Sequence, residues 1–399
     1  MEDNKKNTGR GYGILKIITA IIVTAVLTYF ITINTVLKAY LNTSGITYLS
    51  TKMALINQKL NQNYIYDENE EEMLEYALKG YVAGANDKYT EYLPKDEMTD
   101  LMESTSGNYV GIGVYLANNK KSNSIVVVGV IEGSVAESAG IQAGDVIKAV
   151  DDVSCFGDDI ENVSAIFRGK EEGTEVKIKI DRAGEEQEFM VKRSNIRIKS
   201  VSSKVIEDDV GYIKVSTFNN GTAQEFTNAY NDLKEQGISS LVIDLRNNGG
   251  GLVSESLNLA KTMVKKGNVL LVTRNKSDKE KVEKNNQEPI VDVPVVILQN
   301  SNSASASEIL AGSLRDNCGY KIIGETSYGK GVIQTIFSFA DGTGIKMTTE
   351  EYFTPNHSKI NEVGIEPDIV VELDEEWKNV SNIPYENDTQ LKKAVEELK

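Results

Sequence analysis

The stretch ILKIITAIIVTAVLTYFITINTVL, Ile14 to Leu37, constrains this chain more than any other feature of its sequence. About 20 consecutive apolar residues cross the hydrocarbon core of a bilayer as a helix. After Lys16 this run carries no charge until Lys38. The alternative, a buried helix of a soluble protein, fits the length and flanks less well. Lys5, Lys6 and Arg10 precede the run and Lys16 lies at its start. By the positive-inside rule, residues 1–13 form a cytoplasmic tail and everything after Leu37 faces outward. No small-x-small cleavage site follows the run, so the expectation is an uncleaved single-pass anchor over residues 14–37, not a removed signal peptide.

The 399 residues suffice for two or three domains, each with its own core. A net charge of −16 argues against nucleic acid, whose phosphates need a basic footprint. The two cysteines, Cys155 and Cys318, fall in regions of different texture and read as inert thiols. No Cys/His cluster is present to hold a metal, and no cofactor is implied. His357 is the single histidine, so a mechanism that needs a catalytic imidazole must use it.

Residues 45–102 read as a helical arm, with Met73, Tyr76, Ala77, Gly80 and Tyr81 at helical spacing. From 103 to 193 short strands alternate with glycine turns. From 194 to 375 buried-strand candidates (GYIKVSTF, SLVIDL, VLLVT, VPVVILQN) interleave with helices such as TAQEFTNAYNDLKEQG. Residues 376–399 close the chain with a short amphipathic helix, TQLKKAVEELK.

In NYVGIGVYL two glycines bracket an apolar residue at the mouth of a strand. Backbone N–H groups there can converge on a peptide's terminal carboxylate while the strand edge pairs with the peptide. Alone, such a sequence is equally an ordinary tight turn. With AGIQAGDVI following at the right distance, the region resembles a PDZ domain. The resemblance implies peptide binding by Val110, Gly111, Ile112, Gly113 and Val114. Arg168 is a candidate for tuning this domain, or a solvated surface residue.

GETSYGKGVIQ, residues 324–334, has most of a phosphate-binding loop. Position 331 is Gly where a Mg²⁺-binding hydroxyl belongs, and the residues that follow alternate like a strand, so the NTPase reading fails. A local Ser327-x-x-Lys330 pair needs a helix that this glycine-bearing loop does not offer. A third reading has Lys330 serve a distant nucleophile. Ser305-x-x-Glu308, after the strand VPVVILQN, is a capping-box signature. It also marks a strand–turn–helix junction that can expose a nucleophile. The residues alone do not choose between these two.

SASASEILAGSLRD followed by GETSYGKGVIQ resembles the carboxyl-terminal processing peptidases, the tail-specific serine proteases. The resemblance extends over most of the chain after Tyr48. It implies Ser305 as nucleophile, Lys330, twenty-five residues on, as its base, and Gln334 as an assisting residue. The two latter residues lie on one face of a strand by alternation. RNNGGGLVSES offers an oxyanion hole or a mobile glycine turn; the resemblance implies the N–H of Gly251 (or Gly250) together with that of Ala306. Asp316 matches a family Asp and reads as structural, Glu308 as a cap, and His357 as a surface residue whose replacement by Ala leaves activity intact. Thr326-Ser327, where the family often has Pro-Thr, and His357, where it tends to have Gly or Ser, are departures that leave the dyad untouched.

The expected fold is multidomain α+β: an N-terminal membrane helix, a helical arm, a β-rich PDZ domain and an α/β protease core of the crotonase-like kind. The expected function is an extracytoplasmic serine endopeptidase. It would recognise protein C-termini, act through a Ser–Lys(–Gln) acyl-enzyme and be gated by its PDZ domain. The resemblance further implies a homodimer. The alternative is a PDZ-type scaffold with an inactive hydrolase core, against which the intact Ser305, Lys330 and Gln334 argue.

Overall fold

The computed structural model describes residues 6–40, 44–119, 123–155, 160–169, 171–207, 209–377, 380 and 383–399. Residues 1–5 of the expected cytoplasmic tail therefore lie outside the described residues. Two compact units result, Met1–Leu74 and Glu75–Lys399.

In the first unit one helix runs Lys6–Tyr40 and a second Ser44–Asn63. Within the former, Lys16–Ile33 is long and apolar enough to cross a membrane, and none of this window is buried by protein. Such a helix is consistent with a membrane anchor or a signal sequence.

The second unit holds two cores. In the smaller one, Val114–Asn119, Ser124–Val130, Val146–Val150, Glu175–Arg182 and Glu185–Lys192 form an antiparallel sheet in spatial order, with Val153–Ser154 beside the third. Val176, Ile178 and Ile180 alternate inward along one strand and pack on Ile112, Val127 and Ile147. The short helices Val135–Ala139 and Ile160–Phe167 complete this core.

The larger core is built on a six-stranded sheet. Its order is Val201–Ile206, Val210–Val215, Ser240–Asp244, Val295–Gln299, Lys321–Gly324 and Ile369–Val370, the first pair antiparallel and the rest parallel. The two central strands are buried at every residue, because helices cover both faces. Leu241 and Ile243 face one cluster with Phe226, Leu259 and Leu310. Val242 faces the other, with Leu391 and Val395 of the Thr389–Leu398 helix.

A second sheet lies apart from this one: Glu91–Leu93, Gly344–Phe353, Val269–Asn275 and Glu280–Lys284, with Val332–Ser338 also pairing along Gly344–Phe353. The segment read as a continuous helical arm thus contains a strand, Glu91–Leu93, between the helices Glu70–Ala83 and Lys95–Ser106. Three residues are too few to show alternation, and their partner lies far along the chain.

Candidate active site

Three neighbouring parallel strands end on the same side of the large sheet, and each delivers one part of the site. Ser240–Asp244 leads into the glycine loop 247–251, Val295–Gln299 into the turn before the Ala306–Cys318 helix, and Lys321–Gly324 into the Lys330 loop. Open α/β sheets place ligands beyond the carboxyl ends of their strands for this reason.

Ser305 caps the Ala306–Cys318 helix at φ 56°, ψ −113°. A side chain at positive φ outside the common regions costs about 1–3 kcal/mol and is held there by its surroundings. The capping-box arrangement is present, so the capping reading of Ser305-x-x-Glu308 holds, and Ser305 also stands at the strand–turn–helix junction that the nucleophile reading needs. Glu308 does more than cap. Only 1% exposed, its carboxylate accepts the Ser305 N–H at 2.7 Å and the Lys330 N–H at 3.0 Å on one oxygen. The other oxygen accepts the Ser327 hydroxyl at 2.6 Å and the Gly329 N–H at 2.7 Å. Tyr352 closes the arrangement from the other side. Its hydroxyl reaches the carbonyl oxygens of Ser305 at 3.1 Å and of Lys330 at 2.6 Å. One carboxylate and one phenol therefore clamp the main chains of Ser305 and Lys330 together. Burial, with Glu308 and Tyr89 nearby, raises the Tyr352 phenol well above its usual range, keeping it a donor.

Lys330 is partly buried. Burial lowers its pKa from the ordinary lysine value, Lys346 and Lys88 add repulsion, and Asp87 and Glu308 pull the other way. Its amine lies 4.6 Å from the centroid of the Tyr89 ring. Among the described residues no hydrogen bond joins it to Ser305 Oγ.

Gln334 sits two residues into the Val332–Ser338 strand, directly after an irregularity between Ile333 and Gln334. Lys330 precedes that strand. The same-face argument from alternation therefore does not apply, since the strand starts later and its register breaks. The Gln334 amide donates to Thr348 Oγ1 at 3.3 Å, leaving its oxygen without a protein partner among the described residues. Gly331 has a steric reason to be glycine: a Cβ there would lie 2.2 Å from the Asn361 nitrogen.

The glycine loop is laced to the Ser305 turn through Asn248, which is fully buried. Its carbonyl accepts the Ala304 N–H at 3.0 Å and the Ser307 hydroxyl at 2.9 Å. Its side chain donates to Val215 O and accepts the Gly250 N–H, each within 2.9 Å. That bond occupies the Gly250 amide. Gly251 is different. Phe218 N–H donates to Gly250 O at 3.0 Å and Leu252 N–H donates to Phe218 O at 2.7 Å, so the bridge to Phe218 uses the residues flanking Gly251. Among the described residues neither the Gly251 N–H nor the Ala306 N–H has a protein acceptor. A Cβ on Gly250 would lie 2.9 Å from Ser305 Cβ, which places the loop against the serine.

In the smaller core, Gly111, Ile112 and Gly113 connect strands Asn108–Gly111 and Val114–Asn119. The Ile112 carbonyl accepts the Ala136 N–H and the Gly113 carbonyl the Ile131 N–H, each at 2.9 Å, while Val110 O accepts the Gly169 N–H at 3.1 Å. The N–H groups of Ile112 and Gly113 have no acceptor among the described residues. Arg168 lies 5.6 Å from the Tyr109 ring, on a groove of about 1130 Å³ whose far wall is the Lys95–Ser106 helix.

The remaining candidates are structural in placement. Asp316 accepts the Asn356 N–H at 2.9 Å, tying the helix end to a turn 40 residues on. Ser327 is engaged by Glu308 and by the Ile365 N–H. His357 is exposed. Cys155 and Cys318 are not joined in a disulfide, and burial raises the Cys318 pKa. Among the described residues no group of three or more His, Cys, Asp or Glu is arranged to hold a metal. Sequence reasoning missed Tyr352, Tyr89 and Thr348, whose only signal is an aromatic or hydroxyl residue in segments without a motif.

Comparison with known proteins places the chain in a family. The profile of peptidase family S41 matches residues 209–371, and a PDZ domain profile matches residues 126–182. A CtpA-like serine protease of Staphylococcus haemolyticus is 35% identical over 373 residues, covering 93% of this chain and 74% of that one. The carboxy-terminal processing protease CtpA of Bacillus subtilis is 31% identical over 370 residues, covering 92% and 78%. A solved S41 protease from Bacteroides fragilis matches with a TM-score of 0.53 at 16% identity, over 84% of this chain and 90% of that one, which speaks for the shared fold alone. With relatives of this identity aligned along nearly its whole length, the chain belongs to the S41 peptidases of the C-terminal processing type, serine-type peptidases with a PDZ domain.

Proposed function

We propose that the chain is a membrane-anchored endopeptidase whose catalytic unit lies outside the cytoplasm, and that Ser305 and Lys330 form its catalytic dyad. The observation that carries this reading is the double clamp: Glu308 and Tyr352 each bind the main chain of both residues. A serine hydroxyl needs a base to become a nucleophile, and a lysine serves as base only when its pKa is lowered. The direction of the Lys330 shift fits that need.

In the proposed cycle, neutral Lys330 takes the Ser305 proton as Oγ attacks the scissile carbonyl. The oxyanion is received by the free N–H groups of Gly251 and Ala306. The Lys330 ammonium then protonates the departing amine nitrogen, the C–N bond breaks, and an acyl-Ser305 ester remains. Water, deprotonated by Lys330, attacks the ester, and the serine recovers its proton as the product acid leaves. The unpartnered oxygen of Gln334 can accept from the ammonium without adding charge. The substrate's C-terminal carboxylate is held by the Ile112 and Gly113 N–H groups, its backbone pairs along the strand that begins at Val114, and its binding gates the dyad. A homodimer of such units follows from the family resemblance.

The test uses the full chain in detergent with an unfolded protein and fluorescent C-terminal peptides. Lys330→Ala should abolish cleavage and retain peptide binding. Wild type that binds peptides but cleaves nothing would favour the scaffold reading instead.

A further inference from the structure

The dyad and its clamp leave one side of the Lys330 amine without a role. On that side lies Tyr89, whose ring centroid is 4.6 Å from Nζ. Tyr89 belongs to a turn far upstream, between the Glu70–Ala83 helix and the Glu91–Leu93 strand. The turn is pinned in place. Asp87 accepts the Tyr89 N–H at 3.2 Å and the Thr90 hydroxyl at 2.5 Å. Thr90 Oγ1 in turn accepts the Thr348 N–H at 3.0 Å. Thr348 is also the residue whose hydroxyl engages Gln334. The Tyr89 hydroxyl is buried and makes no hydrogen bond of normal geometry, with Lys88 and Tyr328 beside it; the Lys88 amine also lies 4.7 Å from the ring centroid, so the ring faces two cations.

An aromatic face attracts a cation through its quadrupole and has no comparable hold on a neutral amine. Resting on the catalytic reading above, we propose that Tyr89 is a positioning residue for the general base: its ring seats the Lys330 amine while protonated and releases it towards Ser305 once neutral. Loss of the proton would then both activate the amine and free it. The absence of a bond between Nζ and Ser305 Oγ fits the seated state.

Other charges face the same amine. Lys346 from the Gly344–Phe353 strand and Lys88 beside Tyr89 repel it, and Asp87 and Glu308 attract it. Tyr328 and Tyr352 add nearby phenols, Tyr328 taking part in a cation contact with Lys88 at 5.3 Å. The ring is thus one influence among several, and its share must be isolated without altering shape or charge.

Tyr89→Phe, followed by phenylalanine analogues carrying increasing ring fluorination, gives a series in which fluorination drains the aromatic face while packing stays nearly constant. The Lys330 titration is read directly, in full-length Ser305→Ala protein in detergent, by competitive labelling with an amine acylating reagent and mass spectrometry of the Lys330 peptide. The expected result is a stepwise fall of the Lys330 pKa along the series, reaching about half a unit to one and a half units. In the active enzyme the acid limb of kcat should move to lower pH in parallel, with KM little changed. Tyr89→Leu should give the largest shift if it folds, and the fluorinated series decides the matter if it does not. A Lys330 titration that stays constant across the series would overturn the proposal. Because labelling does not require cleavage, a constant titration alongside an inactive Lys330→Ala enzyme would remove only this inference. A shifting titration alongside an active Lys330→Ala enzyme would remove the dyad.

Discussion

Glu308→Gln changes one oxygen to an NH₂ group at the centre of the clamp, and the outcome can be worked from its four partners. Ser305 N–H, Lys330 N–H, Gly329 N–H and the Ser327 hydroxyl all donate to the carboxylate. An amide can satisfy the Ser305 and Lys330 donors with its oxygen and turn its NH₂ towards Ser327, whose oxygen can accept. The NH₂ then also faces the Gly329 N–H, a donor against a donor. One buried N–H left unsatisfied costs about 1–3 kcal/mol, and two bonds falling from the charged to the neutral range lose about 1 kcal/mol each. The expected destabilisation is therefore about 3–5 kcal/mol. Displacement of the Lys330 loop by about 1 Å relative to Ser305 should lower kcat about 100-fold. KM should change little, since Glu308 is shut off from solvent and hence from substrate. Initial rates on a quenched peptide, with denaturant unfolding of the same preparation, measure both quantities. A variant that loses the stability but keeps kcat within about threefold of wild type would show that Glu308 merely caps its helix, and the alignment argument would fail.

Three further outcomes are expected. In Gly251→Ala a Cβ would lie 2.4 Å from Phe218 O at φ 138°; the free amide must turn, and kcat should fall about 100- to 1000-fold in single-turnover assays with peptide binding retained. Lys346→Met removes a positive charge that disfavours the Lys330 ammonium; the Lys330 pKa should rise, and the acid limb of the pH–rate profile should move up by about half a unit to one unit. Arg246→Met leaves Asp244 and Asp388 buried without the guanidinium both now bind, and should cost about 3–5 kcal/mol in denaturant unfolding. Burial pushes the Asp244 carboxyl up, but Arg246 and the Tyr212 hydroxyl outweigh it and hold it below the usual range. Its contribution to stability in wild type is thus present above the unfolded value near 3.9 and is lost only as pH falls through the lower folded value. In the variant burial acts with less opposition, so acid unfolding should begin at higher pH.

The parts of the candidate site legible in the sequence are those carried by local pattern. A strand, a small-residue turn and a helix start announce Ser305 and the Asn247–Gly251 loop without reference to anything distant. A lysine between glycines before an alternating run announces Lys330. The PDZ domain is legible because two different motifs stand at a fixed distance. Geometry supplied by remote chain was not legible. Tyr352 lies inside a strand, where a buried aromatic residue is ordinary core material, and only its hydroxyl's two carbonyl partners give it a role. The Glu91–Leu93 strand lies in a stretch of helical spacing and owes its existence to a partner at Gly344–Lys346. Glu308 read as a cap because a capping box needs only one of the four donors that its carboxylate receives, the Ser305 N–H. Lys330 and Gln334 seemed to share a strand face because a break in register leaves no mark in composition.

That three-residue strand has a consequence for the order in which the enzyme is made. Its pairing with Gly344–Lys346 joins segments near opposite ends of the catalytic unit, a contact of high sequence separation that forms late. Tyr89 and Thr90 reach the surroundings of Lys330 only through that closure, and Tyr352 follows a few residues behind it. A growing chain therefore holds its serine well before it holds a finished site. Under the proposed dyad, proteolytic competence would arrive only when nearly all of the protein has been synthesised, and a partly built molecule would be protected from digesting itself or its neighbours.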